Sequence, residues 1–193
     1  SVVLIACNFI TKYAKIPCIE GKPLHGGEVA SRERHGPLMA RSLAHIANSW
    51  VLVLRLKSFC FFASVHGVIE HVRGIIEKQQ KEGVPQFRRL KFLIFDCDHL
   101  DGIDSAASKD FQRLRDEAKG HGIAVFWASV SPSVLRVAKE RGTILDDAHV
   151  FYDLGEAMLH VEQAIRVFRH TIEERWVSLH PSFRQAQEVN RLR

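Results

Sequence analysis

Four aspartates follow one apolar segment of the chain and could do chemistry together. The segment Phe92–Phe95 favours a strand, and the acids that come directly after it are Asp96, Asp98, Asp101 and Asp104. Carboxylates at the end of a strand can act as nucleophiles, as general acids or bases, or as ligands of Mg²⁺ and Ca²⁺. Ligands and partners of α/β proteins usually bind at the carboxyl ends of buried strands, because the loops there hold polar groups on a rigid base. We therefore expect the function to lie in the acidic loop after this strand.

A Mg²⁺-dependent phosphatase is one interpretation of this segment. The sequence Phe95-Asp96-Cys97-Asp98 resembles the motif of the haloacid dehalogenase family, in which Asp96 would be the nucleophile and Asp98 the general acid or base. The further positions that this resemblance would use are Ser129 after the next strand, Lys139 on the next helix, and Asp146 with Asp147. A hydrolase is therefore the alternative function.

Several features of the sequence argue against a hydrolase. His99 and Leu100 stand where that family has a Gly-Thr pair, which lets the backbone approach phosphate. Asp146 and Asp147 precede the last predicted strand, so they should lie at the opposite edge of the sheet. A strand hairpin and a helix precede the motif, and too little chain follows it. The spacing of the acids also differs from an EF-hand loop. We therefore predict no catalytic residue, no metal site and no cofactor.

The spacing of apolar residues predicts the strands and helices that position the acidic loop. Two runs separated by a polar Lys-Ser pair predict an antiparallel hairpin of Trp50–Leu56 and Phe59–Ala63. Helical spacing of apolar residues predicts helices over Val65–Gln80, Ser105–Lys119 and Val134–Glu140, and from Leu154 onward. Further strands are predicted at Ile123–Ala128 and Val150–Tyr152. This order predicts an α/β domain with a mostly parallel sheet of four or five strands and flanking helices.

Composition excludes other classes of function. The 193 residues can bury one ordinary core with extensions. The net charge of +5 comes from scattered Lys and Arg, without the interleaved aromatic residues of a nucleic-acid surface. No CxxC pair occurs among the four cysteines, Cys7, Cys18, Cys60 and Cys97, so we predict reduced thiols in a location that faces the cytosol.

The amino-terminal segment is apolar. Ser1–Ile10 is followed by Lys12, Tyr13 and Lys15, as at the cytoplasmic exit of a membrane helix. No stretch of about 18 apolar residues is present, so no complete membrane span is predicted. The alternative is a short buried strand or helix of the domain itself. The following segment, Ile16–Arg34, is rich in Pro, Gly and charge, which predicts an exposed linker.

The spacing of the acids also resembles a second family. Asp96 and the segment Asp104-Ser105-Ala106-Ala107 match the STAS-domain pattern Asp-(seven residues)-Asp-Ser-Ser-Gly, with Ala-Ala in place of Ser-Gly. STAS domains occur in anti-sigma-factor antagonists and in the cytoplasmic tails of SulP sulfate transporters. The match extends over Trp50–Val167 and includes Phe61-Phe62-Ala63-Ser64 before the first helix and the Ser-Pro pair after Gly122–Ser131.

This resemblance implies a STAS (anti-sigma-factor-antagonist-like) fold and a non-enzymatic function. The chain would be the cytosolic regulatory and interaction domain of a SulP-family anion transporter of the membrane, most similar to fungal members. Residues 1–19 would be the end of the last membrane helix, residues 20–49 a linker, residues 50–175 the STAS domain, and residues 176–193 a tail or a linker to a following module. Its partners would be the membrane-embedded transporter core of the same polypeptide and regulatory proteins, with no nucleic acid.

The resemblance also names a candidate site. Ser105 stands at the position that is phosphorylated in the bacterial antagonists, so the loop Asp101, Gly102, Asp104 and Ser105 is the predicted interaction and phosphoacceptor site. A phosphate there would add a charge of about −1.5 to −2, which the helix start would favour and the acids would oppose. The alternative is that Ser105 only caps its helix.

Overall fold

The described part of the chain folds into five strands and five α-helices. A computed structural model describes residues 18–29, 31, 33 and 36–179 of the chain. The strands are β1 (Leu24–His25), β2 (Val51–Cys60), β3 (Phe92–Ile103), β4 (Ala124–Ala128) and β5 (Val150–Phe151). The helices are α1 (Pro37–Trp50), α2 (Phe62–Lys81), α3 (Ser105–Gly120), α4 (Pro132–Glu140) and α5 (Leu154–Leu179).

The strands form one sheet in the order β1-β2-β3-β4-β5. β1 pairs with β2 antiparallel, and the three other pairs are parallel. The two strands of each parallel pair are joined by a helix that crosses over the sheet, because parallel strands need a crossover connection. The predicted α/β class with a mostly parallel sheet of four or five strands is confirmed.

Helices cover both faces of the sheet. One core layer holds the apolar stripes of α2, α3 and α4 against the sheet, and it includes Val68, Phe111 and Val134. The other layer holds α1 and α5 against the opposite face, with Trp50 and Met158 among its buried residues. The predicted apolar faces of α2 and α3 are therefore the faces that are buried. Because β3 is covered on both sides, its first four residues, Phe92–Phe95, are all apolar.

The predicted hairpin is wrong. β2 continues through Lys57 and Ser58 to Cys60, and it pairs in parallel with β3 along this whole length. Ser58 has a φ of 60°, and the register shifts on both sides of Lys57 and Ser58 instead of reversing the chain. The neighbouring strand supplies ladder hydrogen bonds here, so the polar pair forms an irregularity within a strand and not a turn. Phe62 then starts α2, which is why Phe59–Ala63 is not a second strand.

The prediction that the acids lie in a loop after the strand is also wrong. β3 runs on to Ile103, so Asp96, Asp98 and Asp101 lie within a strand and only Asp104 follows it. β4 ends opposite Asp96, and beyond that point only β2 pairs with β3. The sheet therefore narrows to a two-stranded extension that carries the acids.

The predicted exposed linker packs against the sheet. Cys18 is buried, Ile19 forms a bridge with Leu56, and Leu24–His25 is the edge strand. Gly26 is also buried, and a Cβ there would lie 2.8 Å from the Cβ of Val51, so glycine permits this close approach. Charge and glycine content predicted solvent exposure, but edge pairing and close backbone packing determine the position of this segment.

The predictions for the chain ends fall mostly outside the described residues. This holds for the membrane-helix end at residues 1–17 and for the polar tail at residues 180–193. Among the residues that the structure does describe, no helix has both the length and the apolarity that a membrane crossing needs.

The first prediction concerns the centre of the sheet. Ile94 lies on β3 and is fully buried, whereas Leu38 at the start of α1 is 85% exposed. Ile94→Asp would bury an unpaired carboxylate, so we expect a loss of at least several kcal/mol in the free energy of unfolding. Leu38→Asp is the matched control, with an expected change of about 0.5 kcal/mol or less. Equal melting of the two variants in denaturant titrations would contradict this placement of β3.

Candidate docking site

The predicted site residues lie together where β3 ends and α3 begins. Asp101 and Gly102 are on the last part of β3, Asp104 precedes α3, and Ser105 is the first residue of α3. Asp101 and Ser105 are exposed. The site is therefore the join between a rigid strand and a rigid helix, and not a free loop.

Asp104 determines the geometry of this join. Its Oδ1 accepts a hydrogen bond of 2.6 Å from the backbone N–H of Ala107, and its Oδ2 accepts one of 3.4 Å from the N–H of Phe62. Its own N–H donates to the carbonyl of Cys60 at 3.0 Å. One carboxylate therefore caps α3 and also contacts the start of α2.

The hypothesis that Ser105 caps its helix is wrong. Asp104 is the capping residue of α3, and Ser105 occupies the first helical position after it. The first backbone N–H groups of a helix have no acceptor within the helix, and a capping side chain accepts hydrogen bonds from them. A side chain at the first helical position points away from these groups. The hydroxyl of Ser105 is therefore presented to solvent at the start of a helix.

An exposed aromatic pair flanks these residues. Phe59 is 53% exposed and Phe62 is 49% exposed, which is unusual for rings of this size at the end of a buried sheet. The ring of Phe59 lies on Gly102, so close that a Cβ on this glycine would be 2.6 Å from the ring. Phe62 makes an edge-to-face contact of 5.9 Å with Phe61. We call the surface of Phe59, Phe62, Asp101, Gly102 and Ser105 the docking surface.

Sequence reasoning missed the two rings. The predicted hairpin placed Phe59 and Phe62 in one strand, where alternate residues would face the core. The available signal was the segment Phe61-Phe62-Ala63-Ser64, which matches the family pattern just before a helix. Phe62 lies beyond the end of β2 and starts α2, whereas Phe59 is exposed within the last two residues of β2.

The carboxylates of the phosphatase hypothesis do not converge. Asp96 is largely buried and pairs with Arg55 at 3.6 Å, whereas the side chain of Asp98 is 73% exposed and lies 3.5 Å from His99. Ser129 follows β4 with a φ of 57°, and its N–H donates to the carbonyl of Phe151. Arg55 lines the same cavity as Asp96 and Asp98, so a basic side chain already faces the two carboxylates.

The remaining acids of that hypothesis lie elsewhere. Asp146 lines a cavity together with Ile123 and Ala124, at the amino end of β4, and Lys139 pairs with Asp147 instead of facing Asp96. Among the residues that the structure describes, no three His, Cys, Asp or Glu side chains are arranged to hold a metal ion. The predicted location of Asp146 at the opposite edge is confirmed.

A second contact fastens the segment before β1 to the site strand. Nδ1 of His99 lies 2.8 Å from a carboxylate oxygen of Glu20, whose backbone N–H donates to the carbonyl of Arg55. The hydrogen bond to Glu20 raises the pKa of His99, and the hydrogen bond to His99 lowers the pKa of Glu20. This exposed pair is strongest when both partners are charged.

A family model for the STAS domain matches residues 43–157, which is more than half of the chain. The protein belongs to the STAS domain family. No curated protein sequence matches this chain significantly.

Three solved structures are similar to this chain, and the first has a TM-score above 0.5. The chain is similar to the murine Solute Carrier 26 family member A9 anion transporter in the inward-facing state, with 17% identity and a TM-score of 0.56, over 84% of this chain and 25% of that one. It is also similar to a sulfate transporter family protein from Wolinella succinogenes (16% identity, 71% and 96% of the two chains, TM-score 0.49). A SulP transporter STAS domain from Vibrio cholerae has 16% identity over 68% and 99% of the two chains, with a TM-score of 0.49.

The chain spans about a quarter of the length of the murine transporter. The confirmed statements are therefore the family and the fold. The predicted likeness to fungal members is not tested by these comparisons and stays a prediction.

The second prediction concerns the pH dependence of the His99–Glu20 contact. The pKa of His99 is raised above 6.5, the ordinary pKa of histidine. The contribution of protonated His99 to the stability of the fold is therefore fully present below pH 6.5 and is lost as the pH rises through the raised pKa. The pKa of Glu20 is lowered below 4.5, the ordinary pKa of glutamate. The contribution of ionised Glu20 to the stability of the fold is therefore fully present above pH 4.5 and is lost as the pH falls through the lowered pKa. The contact should therefore stabilise the fold most between pH 4.5 and pH 6.5.

The test compares Tm between the wild type and Glu20→Gln. We expect a larger difference at about pH 5.5 than at about pH 8.5, because His99 loses its charge between them. Glu77→Gln is the control, since Glu77 pairs with a lysine, Lys81, and not with a histidine. A Glu20→Gln effect that is equal at both pH values would show that the contact does not depend on the charge of His99.

Proposed function

We propose that this chain is the cytosolic regulatory and interaction domain of a SulP-type anion transporter, and that it is not an enzyme. The observation that carries the proposal is the docking surface, which is rigid, exposed, and composed of aromatic and acidic groups. The family membership and the likeness to the murine anion transporter support it. The partner that this proposal requires first is the membrane-embedded core of the same polypeptide.

The docking surface has the physical properties that the binding of a partner needs. The backbone of the docking surface is fixed by the hydrogen bonds of Asp104, so little conformational entropy is lost when a partner binds. Exposed phenylalanines provide apolar contact area, and the neighbouring carboxylate of Asp101 provides charge selectivity. None of these side chains is needed to fill the core, so the surface is free to be selected for binding.

The proposed organisation follows from the same argument. Residues 1–19 are the end of the last membrane helix with its juxtamembrane segment, and residues 176–193 are a tail or a linker to a following module. The intervening chain holds the STAS domain, and the segment from Cys18 to His25 is fastened along the edge of its sheet. In this arrangement, the domain sits on the cytosolic face of the membrane and is held close to the transporter core.

A hydrolase remains the alternative, and the geometry does not favour it. Asp96 is engaged by Arg55, Asp98 faces solvent, and Asp146 lies at the other edge of the sheet. Among the residues that the structure describes, no constellation brings a nucleophile, a metal site and an acid together at one phosphate.

The third prediction tests the absence of catalysis. The purified chain should not hydrolyse a generic phosphomonoester in the presence of Mg²⁺, because its carboxylates do not converge. Turnover that requires Mg²⁺ and disappears in both Asp96→Asn and Asp98→Asn would overturn the regulatory proposal. Asp116→Asn, on the outer part of α3, is the control for a general effect of removing one carboxylate.

The fourth prediction tests the docking surface in the full-length transporter. Ser105→Glu adds a charge to the docking surface, so it should change transport or delivery to the membrane. In the isolated domain it should change the free energy of unfolding by about 1 kcal/mol or less, because the side chain is exposed and a carboxylate is tolerated at a helix start. Asp101→Lys and Phe62→Ser should have effects of the same kind, measured as transport per transporter at the cell surface.

The matched control is Ser133→Glu, since Ser133 is an exposed serine in the first turn of α4, outside the docking surface. It should leave transport unchanged. If Ser105→Glu, Asp101→Lys and Phe62→Ser all leave transport and surface delivery at the wild-type level, the docking surface has no role and the interface lies elsewhere on the domain.

A further inference from the structure

An open cavity of about 550 Å³ lies between the carboxy-terminal end of α1 and the second half of α2. Its lining includes Leu52 at the start of β2 and Leu90 just before β3, whereas the docking surface lies where these two strands end. Its volume is within the range of about 300–1,000 Å³ that is typical of small-molecule sites. We call this space the α1–α2 cavity. Neither the family match nor the proposed function assigns a role to it.

Hydrogen bonds fix the loop that forms one wall of the α1–α2 cavity. Nε1 of Trp50 donates to the carbonyl of Phe87 at 2.6 Å, and the N–H of Lys91 donates to the carbonyl of Trp50 at 2.8 Å. Oε1 of Gln79 accepts a hydrogen bond of 3.0 Å from the N–H of Leu90. The loop between α2 and β3 is therefore tied to the ends of both helices. Because the cavity is preformed, a ligand that binds there loses little free energy to the ordering of the chain.

The inner wall of the α1–α2 cavity is apolar. Leu52 and Leu90 are buried, and the partly buried side chain of Ile75 packs against the same core cluster. Contact with an apolar group would remove the remaining surface of these side chains from water, which is favourable. The inner wall therefore suits the apolar part of a ligand.

The outer rim of the α1–α2 cavity is basic. Lys78 and Arg88 are exposed there, and Glu82 is the one carboxylate among the lining residues. Nζ of Lys78 lies 3.9 Å from Oε1 of Glu82, and both side chains are largely exposed, so this pair is weak. Arg88 lies 5.7 Å from the centre of the ring of Phe87 and forms no ion pair with a described carboxylate. Two cations against one carboxylate favour an anionic ligand.

A histidine adds a polar group to the wall formed by α2. The partly buried side chain of His71 lines the cavity. Its Nε2 is buried and has no hydrogen-bond partner in the part of the chain that the structure describes. Polar atoms that a native fold leaves unpaired are rare, and they commonly mark a water, an ion or a functional site.

We propose that the α1–α2 cavity binds a small amphipathic anion, with an aliphatic or aromatic body and one carboxylate or sulfonate group. The apolar body would contact Leu52, Ile75 and Leu90, and the anionic group would face Lys78 and Arg88. An inorganic anion would leave the apolar wall unused, and a neutral apolar molecule would leave the basic rim unused. The proposal does not depend on the proposed function, because the cavity lies outside the docking surface.

The test titrates the fluorescent probe anilinonaphthalene sulfonate into the purified 193-residue chain at low salt. We expect a saturable increase in fluorescence that octanoate reverses by competition. Octanol lacks the charge of octanoate, and acetate lacks its chain. Each should therefore need a concentration at least about tenfold higher than octanoate for the same displacement.

Matched variants assign the binding to the α1–α2 cavity. Lys78→Gln combined with Arg88→Gln should raise the Kd of octanoate about tenfold or more, because two cations that face its carboxylate are removed. Lys81→Gln combined with Arg113→Gln removes the same charge from exposed positions outside the cavity and should leave the Kd unchanged. Phe62→Ser, which removes an exposed ring of the docking surface, should also leave it unchanged.

Four results would overturn the proposal. The first is the absence of saturable binding, and the second is displacement by octanol or acetate at the same concentration as octanoate. The third is an equal loss of affinity in the two double variants, which would indicate only a general effect of charge. The fourth is a loss of binding in Phe62→Ser without a loss in the Lys78 and Arg88 variant, which would place the ligand on the docking surface.

Discussion

The parallel pairing of β2 with β3 is the constraint on which the rest of this structure depends. The two strands pair from Val51 and Phe92 to Cys60 and Ile103, well beyond the point at which β4 stops. Their first halves are the covered centre of the sheet, and their second halves form the extension that carries the acids. Because both strands end together, the starts of α2 and α3 lie side by side. Without this pairing there would be no common position for an aromatic pair from one strand and a serine from the other.

The extension also gives the acids different surroundings. Asp96 is largely buried beside Arg55, Asp98 is exposed beside His99, and Asp101 is exposed on the docking surface. Asp96 is neutralised by Arg55, and Asp104 is used by backbone N–H groups. Only Asp101 is left as an exposed charge beside the rings. A surface of this kind offers charge and apolar area to a partner, which is the chemistry that an interaction domain needs.

Much of the fold could be predicted, because the spacing at which apolar residues recur indicates which face of a helix or strand is buried. The stripe of α2 and the apolar run of β3 were identified from residues that indeed lie in the core, such as Val68 and Ile94. The change from a strand to a helix at Asp104 was also predicted, and the structure has it there. The capping residue was assigned wrongly, since Asp and Ser are both good caps and only the hydrogen bond to Ala107 distinguishes them.

The sequence by itself determined the class of fold, the order of the elements from β3 onward and the family, because each depends on patterns within a segment or on a fixed spacing along the chain. Tertiary structure decided the conformation of Lys57 and Ser58, the exposure of Phe59, and the burial of Cys18. Each of these depends on a neighbour that is far away in sequence. A polar pair becomes a strand irregularity only when another strand lies beside it, and a cysteine in a glycine-rich segment is buried only when that segment pairs with an edge. Local propensity cannot contain this information, since the free energy that selects the conformation comes from the partner strand.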